Sequence, residues 1–454
     1  MGTREALYED AARRAARYLD GLGARSVEPR PEDVSRLQEL TGPLPEAASD
    51  AGEILRLLDE VGSPATQASA GPRFFGWVVG GALPVTVAAN WLATAWDQNA
   101  ASWDTSPTAA ALEEASLQWL ADILGLPPGS GGTLVTGATM ASFVSLAAAR
   151  HDLLGRAGWD VEADGLFGAP EVKVVIGAEA HPTLAKALRL LGFGRTRVVE
   201  IPVDTQGRMQ ADALPAVDGP TIICTQAGNV NSGSSDPFDA ICDWAQERGS
   251  WVHVDGAFGL WAAASPRLRP HLQGYERADS WATDGHKWLN VPYDSGIAFV
   301  RDRKALRATM SISAAYLSKN SERRDPSDYS LELSRRARSV EIWAALRTLG
   351  RSGVAEMIEH CCQHASRFAE GLSEAGYEVL NEVVLNQVLV SFGDAETTNR
   401  TIAAIQEEGT CWCGGTEWQG RTAMRISVSS WATTDEDVER SLEAMIRCAR
   451  SAAE

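Results

Sequence analysis

The chain has 454 residues, 44% hydrophobic and 22% charged, enough apolar material to bury a sizeable core. Its 41 Lys+Arg against 60 Asp+Glu leave a formal net charge of −19. A field of that sign repels phosphate backbones and anionic lipid surfaces, so neither nucleic acid nor membrane is expected as a partner.

The first stretch, to about residue 70, reads as helices separated by breaks at Pro29, Pro31, Gly42-Pro43 and Gly62-Ser63-Pro64. Ile54, Leu55, Leu57, Leu58 and Val61 form one apolar stripe. Such a lead-in has too little core of its own and is expected to lie across another surface, such as a partner subunit. Its mixture of charge with Ala and Leu lacks the apolar region of a signal peptide. No run in the chain approaches the roughly eighteen apolar residues of a membrane span. Seven scattered cysteines, an odd count, fit a reducing cytoplasm. Cys411-Trp-Cys413 has no second pair to complete a tetrahedral site, so no metal is expected.

From Gly71 to Phe299 strands alternate with helices. Short apolar runs at Thr133–Thr136, Val172–Ile176, Arg197–Ile201, Thr221–Cys224, Trp251–Val254, Ser280–Thr283 and Gly296–Val300 predict strands. Helical stretches at Met140–Leu154, Leu184–Leu191 and Asp239–Arg248 separate some of them, which predicts a mainly parallel sheet covered on both faces. A long helical run from Ser339 leads to a small α+β segment with strands at Glu378–Leu380, Val388–Phe392 and Arg425–Val428.

Ligands of such sheets sit beyond the carboxyl ends of the strands, so the residues there deserve inspection. Lys287, in Ser280-Trp-Ala-Thr-Asp-Gly-His-Lys-Trp288, follows a strand beside His286 and bulky aromatics, where partial desolvation favours a reactive amine. Asp255, in Val252-His-Val-Asp-Gly-Ala-Phe258, follows another strand and calls for a cationic partner. A helix cap, a buried ion pair and a carboxylate facing the protonated ring nitrogen of pyridoxal phosphate all satisfy it. Val135-Thr-Gly-Ala-Thr139 joins a strand to a helix and offers amides and a hydroxyl for a phosphate. His181 also follows a strand, as a structural histidine or as a ring to lie against a planar cofactor.

His253-Val-Asp-Gly-Ala-Phe258 followed by Asp284-Gly-His-Lys-Trp288 resembles the group II pyridoxal-phosphate-dependent amino-acid decarboxylases, which include the aromatic-amino-acid and glutamate enzymes. The resemblance runs from Pro72-Arg-Phe-Phe75 to about Leu349. It implies the α/β, aspartate-aminotransferase-like type I fold in a homodimer, with an N-terminal helical clasp over 1–74, a large cofactor-binding domain over 75–347 and a small C-terminal domain over 348–454. It also implies that Lys287 carries pyridoxal 5'-phosphate as an aldimine, that Asp255 pairs the ring nitrogen and that His181 stacks on the ring. Ala138, Thr139, Asn229, Ala257, Asp284 and His286 are the remaining cofactor contacts, with Asn229 standing where the family has a threonine. Phe74, Phe75, Trp77 and Trp103 would line the substrate pocket, whereas Trp91, Trp119 and Trp244 read as core.

The implied reaction is loss of carbon dioxide from an L-amino acid, aromatic or otherwise bulky, through a quinonoid to the amine. In the family a tyrosine on a mobile loop supplies the proton. Tyr316 and Tyr329 compete for that part, and proximity to Arg335, Arg336 and Arg338 favours Tyr329. Arg425 meets either a carboxylate or a structural ion-pair partner, and Cys411–Trp418 matches no substrate class. Aldehyde synthase, carbon–carbon lyase or aldolase, transaminase and non-catalytic binding protein are the alternatives on the same fold; a tyrosine at 329 argues against the first.

Overall fold

A computed structural model describes residues 3–312 and 323–453; Tyr316 lies outside the described residues. Two compact units result: Met1–Val79 with Ser366–Leu380 and Val388–Glu454, and Gly80–Ala365 with Asn381–Gln387. The N-terminal residues thus share a unit with the C-terminal ones.

The second unit holds a seven-stranded sheet of β1 (Gly131–Val135), β2 (Lys173–Gly177), β3 (Val198–Ile201), β4 (Thr221–Gln226), β5 (Trp251–Asp255), β6 (Ser280–Asp284) and β7 (Gly296–Val300). Their order is β1-β7-β6-β5-β4-β2-β3. β2 to β6 run parallel to their neighbours, and every residue of β4, β5 and β6 is buried. That explains why those runs lack the alternation of a half-exposed strand. β7 turns back antiparallel between β6 and β1, aligning Asp284, Gly296 and Val135 in one row. The register brings the β6 terminus beside the turn that leaves β1.

The Ala138–Arg156 helix packs on this sheet through Ala141, Val144, Ala148 and other buried residues. Its small side chains let the helix axis approach the strands closely. At the open edge of the sheet, Arg324 donates to the carbonyl of Gly132 at 2.7 Å and Arg335 to that of Leu134. Both guanidiniums also pair with Glu113, at 3.2 and 2.9 Å.

The first unit carries an antiparallel sheet of β8 (Glu378–Val379), β9 (Gln387–Ser391), β10 (Gly414–Trp418) and β11 (Arg421–Ser427), in the order β10-β11-β9-β8. β10 was not predicted; its two glycines obscure a strand that the hairpin to β11 stabilises. Trp412 exchanges backbone hydrogen bonds with Arg73 and Phe75, and its indole stacks on Phe74 at 5.1 Å. Arg73 donates to the carbonyls of Gly23 and Thr410 and pairs with Asp437 at 2.9 Å, tying N-terminal to C-terminal chain.

Two core expectations are corrected. Trp91 is 46% exposed and Trp119 36%, and in the uncharged Pro84–Trp96 helix Thr86 is the buried residue. Apolar periodicity marks a face that wants cover but does not say which surface supplies it. Among the described residues no helix is long and apolar enough to cross a membrane.

Candidate active site

The site lies at the carboxyl ends of β5 and β6 and at the turn after β1. Asp255 ends β5 at 7% exposure, and its carboxylate accepts the Ala257 amide at 3.3 Å. Burial pushes it up to about 6, opposed by the nearby Lys287 ammonium and assisted by Asp284. An acid so placed gains from a cation brought within reach.

Asp284 ends β6 and lies between three groups. One oxygen accepts the Ala138 amide at 2.6 Å and stands 3.6 Å from His286 Nε2; the other is 3.2 Å from Lys287 Nζ. His286 Nδ1 accepts the Ser295 amide at 3.0 Å, and burial lowers its proton affinity. The neutral ring therefore carries its proton on Nε2, toward Asp284.

Gly137 precedes the Ala138–Arg156 helix and gives it no side-chain cap. Asp284 takes the Ala138 amide, and the amides that follow it in the first turn are the ones left to face an anion. A Cβ on Gly137 would stand 3.2 Å from His286 Cε1 and 3.4 Å from Asp284 Oδ1, so glycine keeps that approach open.

His181 caps the Pro182–Leu190 helix after β2; its Nδ1 meets the Thr183 hydroxyl at 2.7 Å and accepts the Thr183 amide. Asn229 is buried in the loop after β4, donating to Glu179 at 3.1 Å and accepting from the amides of Asn231 and Ser232. Thr139 stands in the first turn of its helix and Ala257 just past Asp255.

The proposed substrate residues divide between the units. Trp103, in the second, donates its amide to Asp325 and lies under the Arg323 guanidinium at 5.0 Å. In the first, Phe74 and Phe75 are buried, while Trp77 is 59% exposed and packs on Trp412 at 4.6 Å. Trp77 and Val78 both hold positive φ, 49° and 61°, a strained arrangement for side-chain-bearing residues. Arg425 is part of β11 and forms no salt bridge among the described residues; burial alone lowers its proton affinity.

Tyr329, expected as the loop acid, lies between two arginines. It is 4% exposed on a short 3-10 helix, its hydroxyl accepts from Arg303 Nε at 2.9 Å, and Arg303 and Arg324 flank its ring. Arg303 adjoins Gly131, at the end of β1 opposite Ala138. The sequence pointed to Arg335, Arg336 and Arg338, but the arginines at Tyr329 are Arg303 and Arg324.

Sequence reading missed Tyr293, whose ring stacks on His286 with centroids 4.2 Å apart and planes 29° apart. It follows Lys287 by six residues, and the turn through Asn290, at φ 57°, folds it back. Spacing from the lysine was the available signal.

Pyridoxal 5'-phosphate fits these residues: a lysine amine, a buried acid for the ring nitrogen and, for the phosphate, a glycine-led helix start with first-turn amides and the Thr139 hydroxyl. When bound, the cofactor supplies an electron sink conjugated to the substrate's Cα.

Residues 31–393 match the model of the pyridoxal-dependent decarboxylase conserved domain. The chain is 30% identical over 402 residues to tryptophan decarboxylase 1 of Oryza sativa subsp. japonica, covering 80% of this chain and 77% of that one. It is 31% identical over 432 residues to L-2,4-diaminobutyrate decarboxylase of Rhizobium meliloti (strain 1021), covering 90% and 84%. The crystal structure of Oryza sativa TDC with PLP and tryptamine superposes with a TM-score of 0.91 at 25% identity, covering 98% of this chain and 97% of that one. The chain belongs to the pyridoxal-phosphate-dependent amino-acid decarboxylases, with the type I fold and the carboxy-lyase chemistry of that family.

Proposed function

We propose that the substrate is a bulky or aromatic L-amino acid, decarboxylated to its amine by a cytoplasmic homodimer. The observation that carries the reading is the convergence of Lys287, Asp284 and the Ala138 amide beside the buried Asp255. Lys287 would hold the cofactor through its amine, and Asp255 would keep the ring nitrogen protonated. Ala138, Thr139 and His286 hold the phosphate end, with Asp284 orienting His286. Ala257 and His181 would contact the ring, and Asn229 braces the loop after β4.

The exposed Trp77 on its Trp412 platform supports a planar or bulky substrate side chain, and Phe74, Phe75 and Trp103 are the other aromatic candidates for contact with it. The Pro84–Trp96 helix, with Trp91, Leu92 and Trp96 all over 40% exposed, supports burial against a second copy. Seven buried free thiols support a reducing compartment.

A second reading is favoured by the position of Tyr329. Its hydroxyl is bound to Arg303, so its presence no longer argues against oxidative release of an aldehyde with ammonia, carbon dioxide and peroxide at the expense of dioxygen and water. The test is a mass-spectrometric screen of cofactor-loaded protein against a panel of L-amino acids, with carbon dioxide and peroxide measured together. Amine with equimolar carbon dioxide supports the first reading; aldehyde with peroxide supports the second. Neither product from any bulky amino acid overturns the substrate assignment.

A further inference from the structure

His253 lies one layer behind the site, wholly buried in the middle of β5. Its Nδ1 is 2.9 Å from Ser280 Oγ and its Nε2 is 3.2 Å from Ser142 Oγ. Ser280 Oγ also accepts the Trp251 indole N–H at 2.9 Å, which leaves its own proton available to His253 Nδ1. In that tautomer Nε2 carries the imidazole proton and donates it to Ser142. Burial without a nearby acid pushes His253 down to about 3, so the ring is uncharged and these two bonds are its whole polar business.

The three partners occupy informative places. Ser142 is in the Ala138–Arg156 helix, just past Ala138 and Thr139. Ser280 opens β6, which ends in Asp284. His253 stands two residues before Asp255, and alternation along a strand puts both side chains on one face of the sheet, the face the helix covers. One imidazole therefore joins the helix that faces the phosphate to the strands that carry the ring-nitrogen acid and the lysine turn.

We propose that His253 is a positioning residue that sets the separation between the helix start and Asp255, and so matches the site to the length of the cofactor. A rigid ring with a phosphate at one end and a nitrogen at the other tolerates little error in that separation. The proposal rests on the cofactor assignment above and adds the residue that gauges it.

The test measures pyridoxal phosphate binding to cofactor-free full chain by absorbance titration, alongside thermal melting without cofactor. Ser142→Ala and His253→Leu are each expected to raise the dissociation constant about tenfold, the scale of one lost hydrogen bond, and to shift the absorbance maximum of bound cofactor. His253→Gln, whose amide can still donate to Ser142, is expected to recover most of the affinity. A merely structural role would lower melting of the cofactor-free variants with affinity and spectrum unchanged, and that result overturns the proposal. If His253→Leu does not fold, Ser142→Ala decides alone: weakened binding supports the proposal and wild-type binding overturns it. Failure of the unmodified protein to bind pyridoxal phosphate would overturn the cofactor assignment instead.

Discussion

Asp284 Oδ1 accepts the backbone amide of Ala138 at 2.6 Å, so an acid from the end of β6 closes the start of the helix that follows β1. The row of Asp284, Gly296 and Val135 across three strands makes this contact possible, and the bare Gly137 leaves room for it.

Gly137→Ala should therefore act on the cofactor and not on the fold. The residue's φ of 168° is open to alanine, but the new methyl would stand 3.2 Å from His286 and 3.4 Å from Asp284. Pyridoxal phosphate affinity is expected to fall about tenfold, with cofactor-free melting changed little. Equilibrium dialysis of the variant checks the first and calorimetry the second.

Asp255 gives a pH signature. Its folded-state value of about 6 exceeds its ordinary 3.8, so the folded chain binds that proton more tightly than the unfolded chain does. The resulting stability is complete below about pH 4 and is lost as pH rises through about 6. Cofactor-free Asp255→Asn should thus exceed the parent by roughly 2 kcal/mol at pH 7.5, with the gap closing toward pH 4. Urea melts across that range test the sign; the same variant should bind pyridoxal phosphate at least about tenfold more weakly.

Tyr329→Phe separates structure from chemistry. Losing the bond to Arg303 should cost about 1 kcal/mol of stability, while product identity and turnover stay within about twofold of the parent. A switch from amine to aldehyde in this variant would instead restore Tyr329 as the proton donor. Product analysis on the same substrate panel distinguishes the two.

Trp91→Glu places a charge in the exposed apolar face of the Pro84–Trp96 helix. If a second copy covers that face, sedimentation should give a monomer with well under a tenth of the parent activity, because burying an unpaired charge there is costly. An unchanged dimer would show that the face is used otherwise.

Much of this was legible in the sequence. The seven strands of the larger sheet were readable because buried parallel strands are short apolar runs, and Asp255 and Lys287 stood out because charged groups directly follow two of them. What was not legible depended on contacts distant in sequence. Tyr293 meets His286 only because the chain reverses at Asn290, and Tyr329 sits between Arg303 and Arg324, the second of which is committed to Gly132 and Glu113. The tryptophans at 91 and 119 obey helical periodicity, but periodicity is silent on whether the covering surface belongs to the same chain.

The guanidiniums of Arg324 and Arg335 have a consequence beyond anchoring. β1 is the end of its sheet, and a strand left with bare carbonyls invites another polypeptide to pair with it and start an aggregate. Here two side chains, balanced by Glu113, take up the carbonyls of Gly132 and Leu134. An intruding strand would have to displace two buried charges at once, so the edge is defended by electrostatics where other sheets use a covering helix.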